Sequence, residues 1–154
     1  MAGRIAARLE ELGITLPEAA APVANYVAFV RTGNLVHVSG QVAQDAGGPI
    51  RGRLGEDLKT EAGAAAARRC GLSLIAQARA ACDGDLDRVV RVVKLNGFVN
   101  SAPGFTDQPK VVNGASDLMV EVFGDAGRHA RSAVGVAALP LGVAVEIDAV
   151  FEIA

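Results

Sequence analysis

The chain has no tryptophan and a single tyrosine, and aromatic residues make up 4% of its 154 positions. That shortage removes the stacking platforms on which single-stranded nucleic acids are held. Its two cysteines, Cys70 and Cys82, are too few for a disulfide framework. Both lie near one predicted helix, and a rise of about 1.5 Å per residue sets them ~18 Å apart, beyond disulfide reach. The two histidines, His37 and His129, fall in no metal-ligand spacing. There is no Walker phosphate loop and no GxGxxG after a strand. Charge of one sign is also scarce. Lys plus Arg number 15 against 17 Asp plus Glu, a net charge of -2, so no broad basic field exists to hold nucleic acid by counterion release. No apolar run approaches the ~18–20 residues a membrane helix needs. The first residues, with Arg4, Arg8, Glu10 and Glu11, are too charged for a signal peptide. These absences predict a reduced, cytoplasmic protein with no metal, no membrane and no nucleic-acid partner.

What is present is apolar content: 51% hydrophobic residues, so the core must be built from Ala, Val, Leu and Ile. The length fits one domain, 1–154, read as an N-terminal helix and connector over 1–22 and a core over 23–153. Ile5, Leu9 and Leu12 at helical spacing, followed by Gly13, predict a helix over about Arg4–Leu12. Pro17 and Pro22 make Ile14–Ala24 an extended connector. Tyr26–Arg31 and Leu35–Ser39 flank Thr32-Gly33-Asn34 and read as a hairpin. Glycines at 47, 48, 52 and 55 mark a loop around a short strand at Ile50–Leu54. Asp57–Cys82 has strong helix propensity, with an apolar stripe through Leu58, Ala62, Ala65, Arg69, Leu72 and Ala76, and with Gly63 and Gly71 permitting close packing. Val89–Leu95 is the clearest strand. Asn100–Pro109 reads as a long loop. Val111, Ala115, Leu118, Met119 and Val122 give an amphipathic helix closed by Gly124. Ser132–Ala138 and Val143–Ile153 are the last strands, a hairpin joined by Leu139-Pro140-Leu141-Gly142.

There is no internal repeat and no linker, so a single α+β domain follows: one mixed sheet of five to six strands, two long helices on one face, and the short N-terminal helix. The strands carry Val and Leu at both parities. The second sheet face therefore needs cover, no helix remains to supply it, and self-association is the simple solution.

Chemistry-bearing residues concentrate near the C-terminus. Arg131 stands where a polar turn becomes an apolar strand, and Glu146 interrupts Val143-Ala144-Val145. On spacing alone these also fit a solvated strand start and a wet strand face. Cys70 and Cys82 have neither a helix N-terminus nor a sequence-near His to activate them, so packing is their role. His37 reads as a half-exposed strand residue.

The run Arg131-Ser132-Ala133-Val134-Gly135-Val136-Ala137-Ala138-Leu139-Pro140, with Val143-Ala144-Val145-Glu146-Ile147-Asp148-Ala149, resembles the signature of the RidA family (reactive intermediate deaminase, YjgF-like, "endoribonuclease L-PSP"). Asn25-Tyr26-Val27, Val38-Ser39-Gly40-Gln41, Leu86-Asp87-Arg88-Val89-Val90 and Val112-Asn113 match further family elements in order, from about Val23 to Ile153. The resemblance implies a chorismate-mutase-like fold and a homotrimer with sites in the clefts between subunits. It implies hydrolysis of small 2-imino acids and their enamines to 2-keto acids and ammonia, with no cofactor. Carried over residue by residue, Arg131 binds the substrate carboxylate and Glu146 positions water. Tyr26, Ser39, Asn113 and the backbone at Ala133 line the pocket. The chain departs from the family pattern in having Ala133 where the best-known deaminases have Cys, and His129 where Pro is usual. It also has the N-terminal helix and a longer 100–109 loop. Two other readings remain open at this point: a trimer that binds keto acids without turnover, and a ribonuclease or translation inhibitor.

Overall fold

A computed structural model describes residues 3–22 and 24–154. The boundary placed at Val23 lies outside the described residues. The chain opens with α1 (Arg4–Glu11). Its end follows the Schellman pattern: Gly13, at φ +67°, donates to Glu10 C=O and Ile14 to Leu9 C=O. Gly3 stands at its N-cap with no side chain to offer. The Asp87 carboxylate does this work from across the chain, accepting from the N–H groups of Arg4 at 2.9 Å and Ile5 at 2.8 Å. Those two bonds hold the Asp87 carboxyl below the usual carboxylate range. Ile5 and Leu9 are buried, and Arg8 Nε donates to Glu121 C=O.

The strands are β1 (Phe29–Thr32), β2 (Leu35–Val42), β5 (Val89–Asn100), β6 (Ala130–Val136) and β7 (Val145–Ile153). They form one five-stranded sheet in the order β1-β2-β7-β5-β6. Only the β5–β6 pair is parallel. A separate ribbon pairs β3 (Gln44–Asp45) with β4 (Gly48–Pro49). The predicted short strand at Ile50–Leu54 is instead a loop with single bridges at Arg51 and Leu54. Two long helices, α2 (Thr60–Ala81) and α3 (Gln108–Phe123), cover one face. Parallel neighbours cannot be joined by a tight turn, and α3 is the crossover between β5 and β6.

The last two strands are not a hairpin. The end of β5 stands between them, with Asn100 N–H on Ala144 C=O and Asn100 Nδ2 on Val143 C=O. The connection over 137–144 is tied down from the other side, by Arg51 Nε on Leu141 C=O and Arg53 Nη2 on Ala137 C=O.

Along β7 buried and half-buried residues alternate strictly. Val145, Ile147, Ala149, Phe151 and Ile153 face the helices, and Glu146, Asp148, Val150 and Glu152 face away. The face of α2 differs from expectation. Ala62 and Ala65 are exposed, and the buried positions are Gly63, Ala66, Ala67 and all of 70–78. The middle of this helix is covered by the sheet, by α3 and by the N-terminal connector, where Leu16 is buried and Ala20 C=O accepts from Gln77 Nε2.

Candidate functional site

Two groups of the predicted site residues assemble, in two places. The first lies between α3 and β6. Asp107 precedes α3, and Pro109 sits in its first turn, where the missing N–H costs nothing. The helix then sets Asn113 and Ser116 three apart on one face. Strand β6 is an edge, and its alternation turns Arg131 and Ala133 toward the helix side. Arg131 Nη1 donates to Asn113 Oδ1 at 2.8 Å and to Ser116 Oγ at 3.2 Å. These two bonds use both protons of Nη1. Nε–H and Nη2–H have no acceptor among the described residues, and they form the parallel pair that fits a carboxylate.

His129 continues this network. Its Nδ1 lies 2.6 Å from Gly127 C=O and its Nε2 2.9 Å from Ser116 Oγ. A carbonyl only accepts, so the proton is on Nδ1 and Nε2 accepts from the Ser116 hydroxyl. Burial lowers the pKa of His129 and Arg131 adds to the effect, against the bond to Gly127. The neutral ring that this chain of bonds needs is the form that its surroundings favour.

The second group lies on the opposite side of the sheet, around the β2 bulge. Val38 pairs with Ala149 and Gln41 with Ile147, so Ser39 and Gly40 together oppose Asp148. The Glu146 carboxylate lies over Gly40, where a Cβ would run into Oε2. Ser39 Oγ donates to Val27 C=O at 2.7 Å, and its N–H donates to Ala28 C=O at 2.8 Å. Both bonds pin the segment that carries Tyr26, which is 53% exposed. The pKa of Glu146 is raised, first by burial and then by Asp148. Asp148 accepts from Asn96 Nδ2 at 2.8 Å.

The register separates the two groups. Arg131 pairs with Leu95, which pairs with Ala149; Glu146 pairs with Phe98, which pairs with Val134. Positions 95 and 98 on one strand point to opposite faces. Arg131 and Glu146 are thus on opposite faces of the same sheet, about 10 Å apart along the strands and about 10 Å across them. Asn113 and Ala133 lie on the Arg131 side; Ser39 lies next to Gly40 under Glu146, and Tyr26 is tied to that side only through the Ser39 bonds to Val27 and Ala28.

Ser116, bonded to Arg131 and His129, and Gly40, beneath the Glu146 carboxylate, join these two groups without having been singled out by the sequence reading. Gly40 stood in the quoted Ser39-Gly40-Gln41 match. Ser116 had only its spacing from Asn113 to mark it. The loop predicted over 100–109 is shorter, 101–107, because β5 runs to Asn100 and α3 begins at Gln108, and its Phe105 lines an open recess of about 410 Å³ with Glu56, Asp57, Lys59 and Glu61. None of the predicted site residues lines that recess. Cys70 is buried against Val145 C=O, and its thiol is pushed up by burial, which makes it inert. No three His, Cys, Asp or Glu among the described residues cluster to hold a metal ion, and no described helix is long and apolar enough to cross a membrane.

Comparison with known proteins agrees with this architecture. Protein TCP17 of Trypanosoma cruzi is 59% identical over 153 residues, covering 98% of this chain and 95% of the relative. A crystal structure of an Agrobacterium tumefaciens protein of unknown function superimposes with a TM-score of 0.89 at 48% identity, covering 97% of this chain and 94% of that one. A 2-iminobutanoate/2-iminopropanoate deaminase of Dermatophagoides farinae is 32% identical over 143 residues, covering 89% of this chain and 92% of the relative. Residues 6–152 match the model of the family described as "YjgF/chorismate mutase-like, putative endoribonuclease", and the chain belongs to that family, the one its C-terminal strand motifs resemble.

Proposed function

We propose that the protein hydrolyses small 2-imino acids and their enamines to 2-keto acids and ammonia, at a site shared between two copies of the chain in a homotrimer. The observation that carries this reading is the state of Arg131. Its Nη1 is tethered and its Nε–Nη2 edge is left to an outside carboxylate. The likeness to an imino acid deaminase adds support. The register supports a shared site, because one chain holds Arg131 and Glu146 on opposite sheet faces. A small substrate meets both when the Arg131 group of one chain closes on the Glu146 group of another.

In this reading the substrate carboxylate docks on Nε and Nη2 of Arg131 by two charge-assisted bonds. Its protonated imine carbon is already electrophilic, so no cofactor is needed. Glu146 accepts a proton from water as the oxygen bonds to that carbon, and gives it to the nitrogen of the resulting carbinolamine. The C–N bond then breaks with its electron pair going to NH3, Glu146 takes the hydroxyl proton as the C=O forms, and that proton passes to the ammonia, which leaves as ammonium. The raised proton affinity of Glu146 suits both transfers.

The test is the loss of 2-iminobutyrate, generated in a coupled assay by a pyridoxal-phosphate dehydratase. The protein is expected to accelerate it over buffer. Arg131→Ala is expected to abolish the acceleration, since losing bonds to a charged group costs ~1.5–3 kcal/mol each, roughly 10- to 100-fold. No acceleration with any small imino acid overturns the reading. Calorimetric binding of 2-oxobutyrate that Arg131→Ala removes, without turnover, would replace it by a metabolite-binding role.

A further inference from the structure

We infer that Ser116 and His129 are positioning residues that hold the Arg131 guanidinium with its Nε–Nη2 edge presented to a carboxylate. This rests on the proposed site and adds to it two residues outside the motif that suggested it. The argument is one of hydrogen-bond direction. Gly127 C=O fixes the proton on His129 Nδ1, Nε2 accepts from the Ser116 hydroxyl, and the hydroxyl proton is thereby aimed away from Arg131. A lone pair of Ser116 Oγ is left facing Arg131 Nη1, which takes it at 3.2 Å beside the 2.8 Å bond to Asn113.

Each part has a separate consequence. With Asn113 alone, the guanidinium is held at one point and pivots about it. With Asn113 and Ser116 together, it is held at two, and its plane is set. With His129 removed, the Ser116 hydroxyl loses its acceptor and turns to a nearby backbone carbonyl, as helix serines do. The lone pair then no longer faces Arg131. A preset guanidinium loses less side-chain freedom when the carboxylate arrives. The effect therefore belongs to binding and not to the chemical step.

The experiment measures KM and kcat for 2-iminobutyrate and the calorimetric Kd for 2-oxobutyrate, on the full chain and five variants. Ser116→Ala and His129→Ala are each expected to raise KM and Kd roughly tenfold, one lost bond to a charged group. In both, kcat should stay within about twofold, the mark of lost uniform binding. Ser116→Thr keeps the hydroxyl and His129→Gln keeps an acceptor, and both are expected to restore most of the affinity. A merely structural defect would not be repaired in this pattern. Arg131→Ala separates the two claims. If it abolishes binding while Ser116→Ala and His129→Ala leave KM and Kd unchanged, the positioning role is wrong and the deaminase reading stands. If the unaltered protein neither binds nor turns over any 2-oxo or 2-imino acid, both fall.

Discussion

Glu146 carries a thermodynamic consequence of its own. Its carboxyl is raised from an ordinary value of 4.5, by burial first and by Asp148 second. The folded chain thus holds that proton more tightly than the unfolded chain. For an acid shifted upward, stability falls as pH rises through the window from the unfolded pKa to the folded one, and is level on either side. Glu146→Gln removes the charge and keeps the shape. It is expected to raise the melting temperature at pH 7 and to leave it unchanged at pH 3.5, at fixed protein concentration. A variant less stable than its parent at pH 7 would mean that Glu146 is held by attraction rather than penalised by burial. Alternation along the strand already puts Asp148 beside Glu146, but the motif does not show the burial, because Gly40 comes under the carboxylate only through the strand pairing and the β2 bulge.

At the scale of elements, the helix pair shows how far local propensity goes. Glycine in a helix interior costs about 1 kcal/mol relative to alanine, yet α2 and α3 carry Gly63, Gly71 and Gly114. At Gly114 a Cβ would run into the backbone carbonyl of Ala64, and at Gly71 it would crowd the Leu118 side chain while touching Ala115. These are the points where the two helices touch. Gly114→Ala should therefore destabilise the fold by about 1–3 kcal/mol, the usual cost of overpacking. A urea midpoint shifted downward is the expected result. A stabilisation would show that helix propensity outweighs the contact. The close packing was legible from Gly63 and Gly71. The buried stripe of α2 was not, because alanine occupies both its faces and gives periodicity no contrast. The five strands of the sheet, rich in Val, were legible, as were the ends of α1 and α3 at Gly13 and Gly124, whereas the strand expected at Ile50–Leu54 and the β3–β4 ribbon were not, since glycine-rich segments carry little strand signal.

For the whole molecule, the helix-free sheet face is the dominant fact. It carries Val30, Leu35 and Val134, each more than a third exposed, together with half-buried Val42, Phe98 and Val150 around Glu146, Asp148 and Asn96. A face of this composition marks an interaction surface, and in the proposed reading a second copy of the chain covers it. Sedimentation equilibrium at micromolar concentration is expected to give three times the 15.7 kDa of one chain. A monomer under those conditions would remove the shared site, and with it the account of how Arg131 and Glu146 act on one substrate.

The amino-acid sequence alone determined the three helices and the core of each of the five sheet strands, that one sheet face lacks cover, and the motifs that mark Arg131 and Glu146 as candidates. β-Branched runs, amphipathic spacing and the Arg131 and Glu146 motifs are local signals, and they survive without knowledge of neighbours. The tertiary structure decided what local signals do not contain. It put β5 between β6 and β7 where a hairpin was expected. It set the register that turns Arg131 and Glu146 to opposite faces, and it brought His129, Ser116 and Arg131 into one chain of hydrogen bonds. Strand order and register depend on contacts between residues far apart in sequence, and a side chain's face is defined only when its pairing partner is known.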